Sequence, residues 1–398
     1  MKKNLNKVIL GTLAVVSMSL AESNTGFFKY EVIQGKFING SIPLNPSASE
    51  WQEVKAQTVY LYPQVSVRLN DKKANNLIPK KKRVEAKVKV LYNSKNIAVY
   101  IKWKDNTPSI QPVYDTDAFG DGVSIEFPNK FGKGISLPYV GMGDENHPVS
   151  VYLKKNVAGR DYQKTFISEG FGSLTEIKED GVQINMIYKN GEWTAIFKRP
   201  LKTENSNLSA GLVPIAFAIW DGNKYERDGN KSLSRWKFIR LDKYPLDNDY
   251  LSYVSWGTPY ADWKEKGKDI GDAKRGEKLF QQNGCIGCHR AGKFNTAMEG
   301  LAPNLSDIGG IANAIYLKES IINPSDVVIR NLNINRHYNK NAKPDKFKAY
   351  PNNDMYTWYM NINGQKQSKM PPFSHLSEQD IKDIIAFLKT LVDWKNFK

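Results

Sequence analysis

Two thiols, Cys285 and Cys288, stand either side of Ile286-Gly287 and are followed at once by His289; the 398-residue chain has no other cysteine. Thiols at this spacing can form thioethers to the two vinyl groups of one haem, while the adjacent imidazole ligates its iron. A zinc site would need two more ligands nearby, and a redox dithiol would sit in a βαβ unit, and neither context is written in the sequence. Two cysteines so close together also cannot supply a disulfide framework. The pattern predicts one covalent haem c. A second axial ligand is then required, and the soft, neutral thioether of Met370, in Ser368-Lys369-Met370-Pro371-Pro372, suits it. Met298, Met355, Met360, His337 and His375 compete for that place, and core packing is the alternative role for Met370.

The elements that must hold these groups follow from periodicity. From about residue 28 to 260 the chain is rich in Val, Ile, Tyr and Phe with period-2 alternation. Val84, Ala86, Val88 and Val90 alternate with charged residues, Asn93 to Asn96 turns the chain, and Ile97, Val99, Ile101 and Trp103 alternate back. Gln183 to Tyr188 and Trp193 to Lys198 form a second such pair, and Ile215 to Trp220 and Trp236 to Leu241 add strands without intervening helices. Residues 22–262 therefore read as an antiparallel β-sandwich. Beyond a boundary near 260–270 the period becomes 3.6, with helices at Ala273 to Gln282 and Ser377 to Trp394, so residues 263–398 read as an all-α domain. Ser377 and Asp380 have capping-box spacing, and Ile381, Ile384, Ile385, Leu388, Leu391 and Val392 form one apolar stripe. Residues 330–366, rich in Asn, Lys and Tyr, read as a long polar insertion between helices.

Composition bounds the rest. With 40% hydrophobic and 25% charged residues, the chain has the make-up of a soluble multidomain protein, and no apolar run reaches the ~18 residues of a membrane span. Residues 1–21, with Lys2, Lys3 and Lys7 before an apolar stretch and Ser19-Leu20-Ala21 at its end, read as a cleaved signal peptide, the alternative being an uncleaved anchor. Export makes a nucleic-acid role unexpected. The formal charge of +16 falls to +13 without those three lysines. Its densest run, Lys80-Lys81-Lys82-Arg83, reads as a solvated basic face or a steering patch for an acidic partner or anionic membrane.

Residues 270–398 resemble a class I cytochrome c, through Gly276 and Phe280, the Cys285/Cys288/His289 motif, Ala302-Pro303-Asn304-Leu305, Met370-Pro371 and Phe387. The resemblance implies that Gly276 and Phe280 pack against the Phe387 face and that the Pro303 carbonyl accepts a hydrogen bond from His289. The 330–366 insertion departs from the compact pattern.

Ala118 to Pro128, Val140-Gly141-Met142-Gly143-Asp144 and Trp220-Asp221-Gly222, with the stretch Glu226 to Trp236, resemble the haem-b-binding gamma subunits of ethylbenzene dehydrogenase, dimethylsulfide dehydrogenase, selenate reductase and chlorate reductase. That family implies a non-covalent haem b between a methionine and a lysine, which fall here on Met142 and Lys231. His147, five residues beyond Met142, is the substitute ligand, because imidazole is the commoner iron ligand. A lysine ligates only as the neutral amine, so the assignment demands burial. Together the two resemblances imply a periplasmic dihaem electron carrier rather than an enzyme. Its redox partners would be a molybdenum and iron–sulfur enzyme complex and a soluble or membrane electron carrier, with no small-molecule substrate of its own. A sandwich serving as a carbohydrate or apolar-ligand module beside a single haem c is the alternative; a catalytic haem would need an open iron position, which Met370 and Lys231 would fill.

Overall fold

The computed structural model describes residues 32–66, 71–115, 117–171, 173–247, 249–250, 271–297, 301–328 and 358–392. The signal segment 1–21, the 262/263 boundary and most of the 330–366 insertion lie outside the described residues. Among those described, no helix is long and apolar enough to cross a membrane.

The first domain consists of β1 (Val32–Phe37), β2 (Gln57–Pro63), β3 (Val84–Tyr92), β4 (Asn96–Lys104), β5 (Gly122–Pro128), β6 (Val149–Val157), β7 (Arg160–Ser168), β8 (Leu174–Ile177), β9 (Gln183–Lys189), β10 (Glu192–Pro200), β11 (Leu212–Trp220), β12 (Ser232–Leu233) and β13 (Lys237–Arg240). Their ladder runs β8-β7-β6-β5-β11-β12-β2-β3-β4-β10-β9. It folds over so that Ile125 and Phe217 from one half bury against Val99 and Phe197 from the other. The hairpin expected at 84–103 forms with Val90 opposite Val99. Asn93 fixes its turn, its Oδ1 accepting from the backbone of Lys95 and Asn96 at 2.9 and 2.8 Å.

One strand departs from the antiparallel rule. β1 runs parallel to β3 through Gly35–Phe37 and parallel to β13 through Val32–Gln34. It crosses from one half to the other, and Gly35 permits the crossing because a Cβ there would come within 3.0 Å of the Arg240 carbonyl.

Alternation gives β5 and β11 a second face, on the side away from Ile125 and Phe217. It carries Ser124 and Glu126 of β5 and Ala216, Ala218 and Trp220 of β11. The cluster of Val140, Trp236, Leu233, Ala216 and Ala218 on this side also includes Ile311 and Ile315 from the second domain.

That second domain has α1 (Ala273–Gln282), α2 (Ile308–Ile311), α3 (Ala314–Ile322) and α4 (Glu378–Thr390). It also holds a hairpin of β14 (Tyr359–Ile362) and β15 (Gln365–Ser368), at the end of the stretch read as a polar insertion. Asp272 caps α1, and Ser377 with Asp380 closes the expected capping box on α4. α4 stops at Thr390, short of Trp394, where the Leu391 carbonyl accepts from Gly309 N at 3.1 Å. α1 and α4 cross at Gly276, where a Cβ would lie 1.8 Å from the Asp383 carbonyl. Phe280 and Phe387 meet at 5.3 Å, and Arg275 pairs with both Asp380 and Asp383. Gly276→Ala must push the helices apart, so it should destabilise the haem c domain by about 1–3 kcal/mol, read as a lower denaturation midpoint of the haem c absorption. An unchanged midpoint would contradict the crossing.

The domains interlock. Val65 N donates to Asp307 Oδ2 at 3.1 Å, Asn313 Nδ2 to the Trp236 carbonyl at 3.2 Å, and Ser136 Oγ to Asp326 Oδ2 at 2.9 Å. Gly310 lies so close under Tyr62 that a Cβ would stand 2.3 Å from its ring.

Candidate functional site

A 3-10 turn at Cys285–Gly287, entered through Gly284 at φ 74°, carries both cysteines toward a cavity of about 440 Å³. Cys285, Cys288, His289, Pro303 and Met370 all line it. His289 Nδ1 is 2.9 Å from the Pro303 carbonyl. A carbonyl only accepts, so Nδ1 carries the proton and Nε2 keeps the lone pair needed for iron. Burial also lowers the imidazole's pKa and keeps it neutral. Cys285 fits thioether chemistry better than dithiol exchange: burial pushes its thiol up to about 11, whereas an attacking thiol needs a lowered value.

Met370 follows β15 into the cavity, its backbone N held by Ser368 Oγ at 3.1 Å. Of the competitors, Met298, Met355 and His337 lie outside the described residues. Met360 is 38% exposed on β14, and His375 stands beside Phe373; neither lines the cavity.

Several wall residues, Ser66, Tyr139 and Asp307 among them, were not anticipated from the sequence. Ser66, Tyr139 and Val140 of the sandwich complete the cavity that the second domain opens. Asp307 also lines it, buried, with the Val65 N–H as its interdomain hydrogen bond. Desolvation raises its pKa well above the ordinary aspartate value.

Met142 occupies a turn with φ 93°, a conformation costing about 1–3 kcal/mol for a residue with a Cβ. Its carbonyl accepts from Ser168 Oγ at 2.6 Å and Gly170 N at 2.9 Å, and Gly143 N reaches back to the Tyr139 carbonyl at 2.7 Å. The flanking glycines are required, since a Cβ at 141 would lie 2.5 Å from the Tyr139 ring and one at 143 would lie 2.9 Å from two carbonyls. Met142 packs against Phe171, as do Tyr139 and Trp358.

His147 is engaged otherwise. Its Nδ1 sits 2.8 Å from Asp144 Oδ1, and the Asp144 carboxyl also accepts the backbone N–H groups of Tyr139, Asn146 and His147. The hydrogen bond to Asp144 raises the imidazole's pKa, so the pair stabilises this turn below about 6.5 and the contribution fades as pH rises through the folded-state value. His147→Asn should cost about 1 kcal/mol at pH 5.5 and nothing at pH 9, read from thermal melts; equal losses at both would contradict the ion pair.

Lys231 is buried, 4% exposed, with Nζ 5.2 Å from the Trp220 ring centroid. Burial lowers its pKa below the lysine range, and burial raises that of Glu126 above the carboxylate range, each offset in part by the charge of the other. Lys81 clamps the segment before it, pairing with Glu226 at 2.8 Å and donating to Asn230 Oδ1 at 2.5 Å. Lys81 is therefore buried, which takes it out of the solvated run expected at 80–83, and Arg83 lies over the Tyr60 ring. The segments at 118–123 and 220–222 meet at Asp121, which accepts from Ser109 N, Gly222 N and Trp193 Nε1 and so pins strand ends.

A buried amine of lowered basicity, a half-buried methionine on a strained turn and the unpartnered Glu126 Oε1 and Tyr62 hydroxyl together fit a flat polar-edged cofactor such as haem b.

Residues 273–392 match the cytochrome c family model. The chain is similar to the chlorate reductase subunit gamma of Ideonella dechloratans, 26% identical over 248 residues that span 59% of this chain and 98% of the relative. A Haloferax mediterranei protein, ORF7, assigned as a respiratory nitrate reductase heme subunit, is 24% identical over 53% of this chain and 73% of its own length. The dimethylsulfide dehydrogenase subunit gamma of Rhodovulum sulfidophilum is 27% identical over 39% of this chain and 59% of its own length. The chain thus couples a large β domain, with similarity to gamma subunits of oxidoreductases, to a cytochrome c domain carrying haem c.

Proposed function

We propose that this chain is an exported, periplasmic dihaem electron-transfer subunit. Haem c would be held by Cys285, Cys288, His289 and Met370, and haem b by Met142 and Lys231, between a molybdenum-dependent oxidoreductase with iron–sulfur centres and a soluble or membrane carrier. The observation that carries the reading is the cavity that gathers the two cysteines, His289 and Met370; the buried Lys231, its pKa lowered by desolvation, supports the second site. Bound haem supplies one-electron exchange between ferric and ferrous iron.

The residues do the rest. Pro303 fixes the His289 tautomer, and Met370 would offer a neutral ligand that favours a raised potential. Lys231 must shed its proton to ligate, and the apolar site has already weakened its hold on that proton. With Met370, Met142 and Lys231 holding the haems, no position would be left for a substrate, and the chain would act as a conduit.

A pyridine haemochrome spectrum of protein exported by a host competent in cytochrome c maturation, before and after acid–acetone extraction, tests this. One extractable haem b beside one retained haem c is expected. Haem c alone, with haem b supplied during expression, would overturn the dihaem reading in favour of a ligand-binding sandwich.

A further inference from the structure

We propose that the two haem sites share one wall, made by the turn Pro138 to Asp144 and by Trp358, and that an electron passes directly from one haem to the other within a single chain across Tyr139 and Trp358. The inference rests on the dihaem reading and specifies its route.

Two aromatic residues touch both sites. Tyr139 and Trp358 line the haem c cavity, and both pack against Phe171, as does Met142, the ligand candidate for haem b. Tyr139 and Met142 belong to one turn, closed by the 2.7 Å hydrogen bond from Gly143 N to the Tyr139 carbonyl, so a ligand of one site and the wall of the other cannot move apart. The turn is anchored at its start by Trp236 Nε1 to the Pro138 carbonyl at 2.8 Å. From the cytochrome side, the Tyr316 ring of α3 lies 6.1 Å from that of Tyr139. Trp358 is held by Lys369 N at 2.9 Å from its carbonyl, one residue before Met370. The β14–β15 hairpin that follows Trp358 is tied to the sandwich through Lys366 and Glu145. The chain neighbour of a ligand candidate of each haem, Gly143 beside Met142 and Lys369 beside Met370, is thus joined by one hydrogen bond to an aromatic residue in the common wall.

The step is a simple one. The ferrous iron of one haem is oxidised as the ferric iron of the other is reduced, with no bond broken and no proton moved. Burial holds the Tyr139 hydroxyl up at about 12, so its ring fills the gap while keeping its proton. Tyr139 and Trp358 are positioning residues.

The experiment uses the full chain with both haems counted. A pulse of photogenerated reductant supplies less than one electron per chain, and the b and c absorption bands are followed separately. Redistribution at a rate independent of protein concentration, slowed several-fold in Tyr139→Leu or Trp358→Ala, is the expected result. A rate proportional to protein concentration, or the wild-type rate in both variants with both haems present, would overturn the route. Dipolar EPR between the two ferric irons gives a reading on the wild-type chain alone: coupling supports adjacency, and its absence overturns it. If haem counting finds no haem b in the wild-type chain, the dihaem reading itself fails.

Discussion

Lys231→Arg is expected to abolish extractable haem b from the full chain while leaving the haem c bands at full intensity. Arginine keeps the positive charge and much of the packing, yet its guanidinium stays protonated and cannot ligate iron. The lysine differs because burial has already lowered the pKa of its amine. Met142→Ala should weaken the same haem from the other side and also relieve little of the turn's strain, since alanine retains a Cβ at φ 93°. The pH dependence has a defined sign: ligation removes a proton from Lys231, so the apparent affinity for haem b falls as pH drops through the lowered lysine pKa. Haem extraction and absorbance on both variants provide the check, and full haem b content in Lys231→Arg would remove Lys231 from the site.

Asp307→Asn should flatten the pH dependence of the haem c potential. In the native chain the Asp307 carboxyl lines the cavity, buried, and its pKa is raised by desolvation. As pH climbs through that raised value a negative charge would appear in the wall of the cavity that would hold the haem. The ferric state, one unit more positive, gains from it, so the potential falls with rising pH, by up to about 59 mV per pH unit where proton and electron are fully linked. Asparagine keeps an oxygen to accept the Val65 N–H but never ionises. Stability has its own sign. A carboxyl whose folded pKa is raised is favourable below its unfolded pKa and loses that contribution as pH rises toward the folded one, so at neutral pH Asp307→Asn should be at least as stable as the native chain. Spectroelectrochemical titrations from acid to neutral pH decide the matter, and equal slopes in the two proteins would eliminate Asp307 as the source.

What the amino-acid order discloses depends on range. The haem c motif, the hairpin around Asn93 and the capping box at Ser377 are local devices, carried by residues a few positions apart, and each forms where its spacing predicts. Gly276 and Phe280 could be placed against Phe387 only through resemblance, because nothing in α1 alone names its partner. The β14–β15 hairpin had a local signal that compositional reading concealed. Asn363-Gly364, at φ 52° and 80°, is the dipeptide favoured by a two-residue hairpin turn, set at the end of a tract that reads as uniformly polar. Tyr139, Ser66 and Asp307 were beyond reach for a different reason: they line one cavity from segments far apart in the chain, and their meeting is produced by packing of the domains. The parallel crossing of β1 escaped in the same way, since a six-residue strand alternates identically whichever direction its neighbours run.

The close fit of Gly310 under Tyr62 bears on how such a protein can be re-engineered and how it can diversify. Gly309 is equally constrained, a Cβ there lying 2.5 Å from the Lys389 carbonyl, so α2 is squeezed between its own domain and the neighbouring one. A cytochrome from elsewhere, grafted after the sandwich, would bring side chains where only hydrogen atoms fit. It would also leave the apolar face that meets Ile311 and Ile315 uncovered. The two modules are therefore not interchangeable parts: substitutions on one side of the seam constrain those tolerated on the other, and swapping either demands that the join be recut at these glycines.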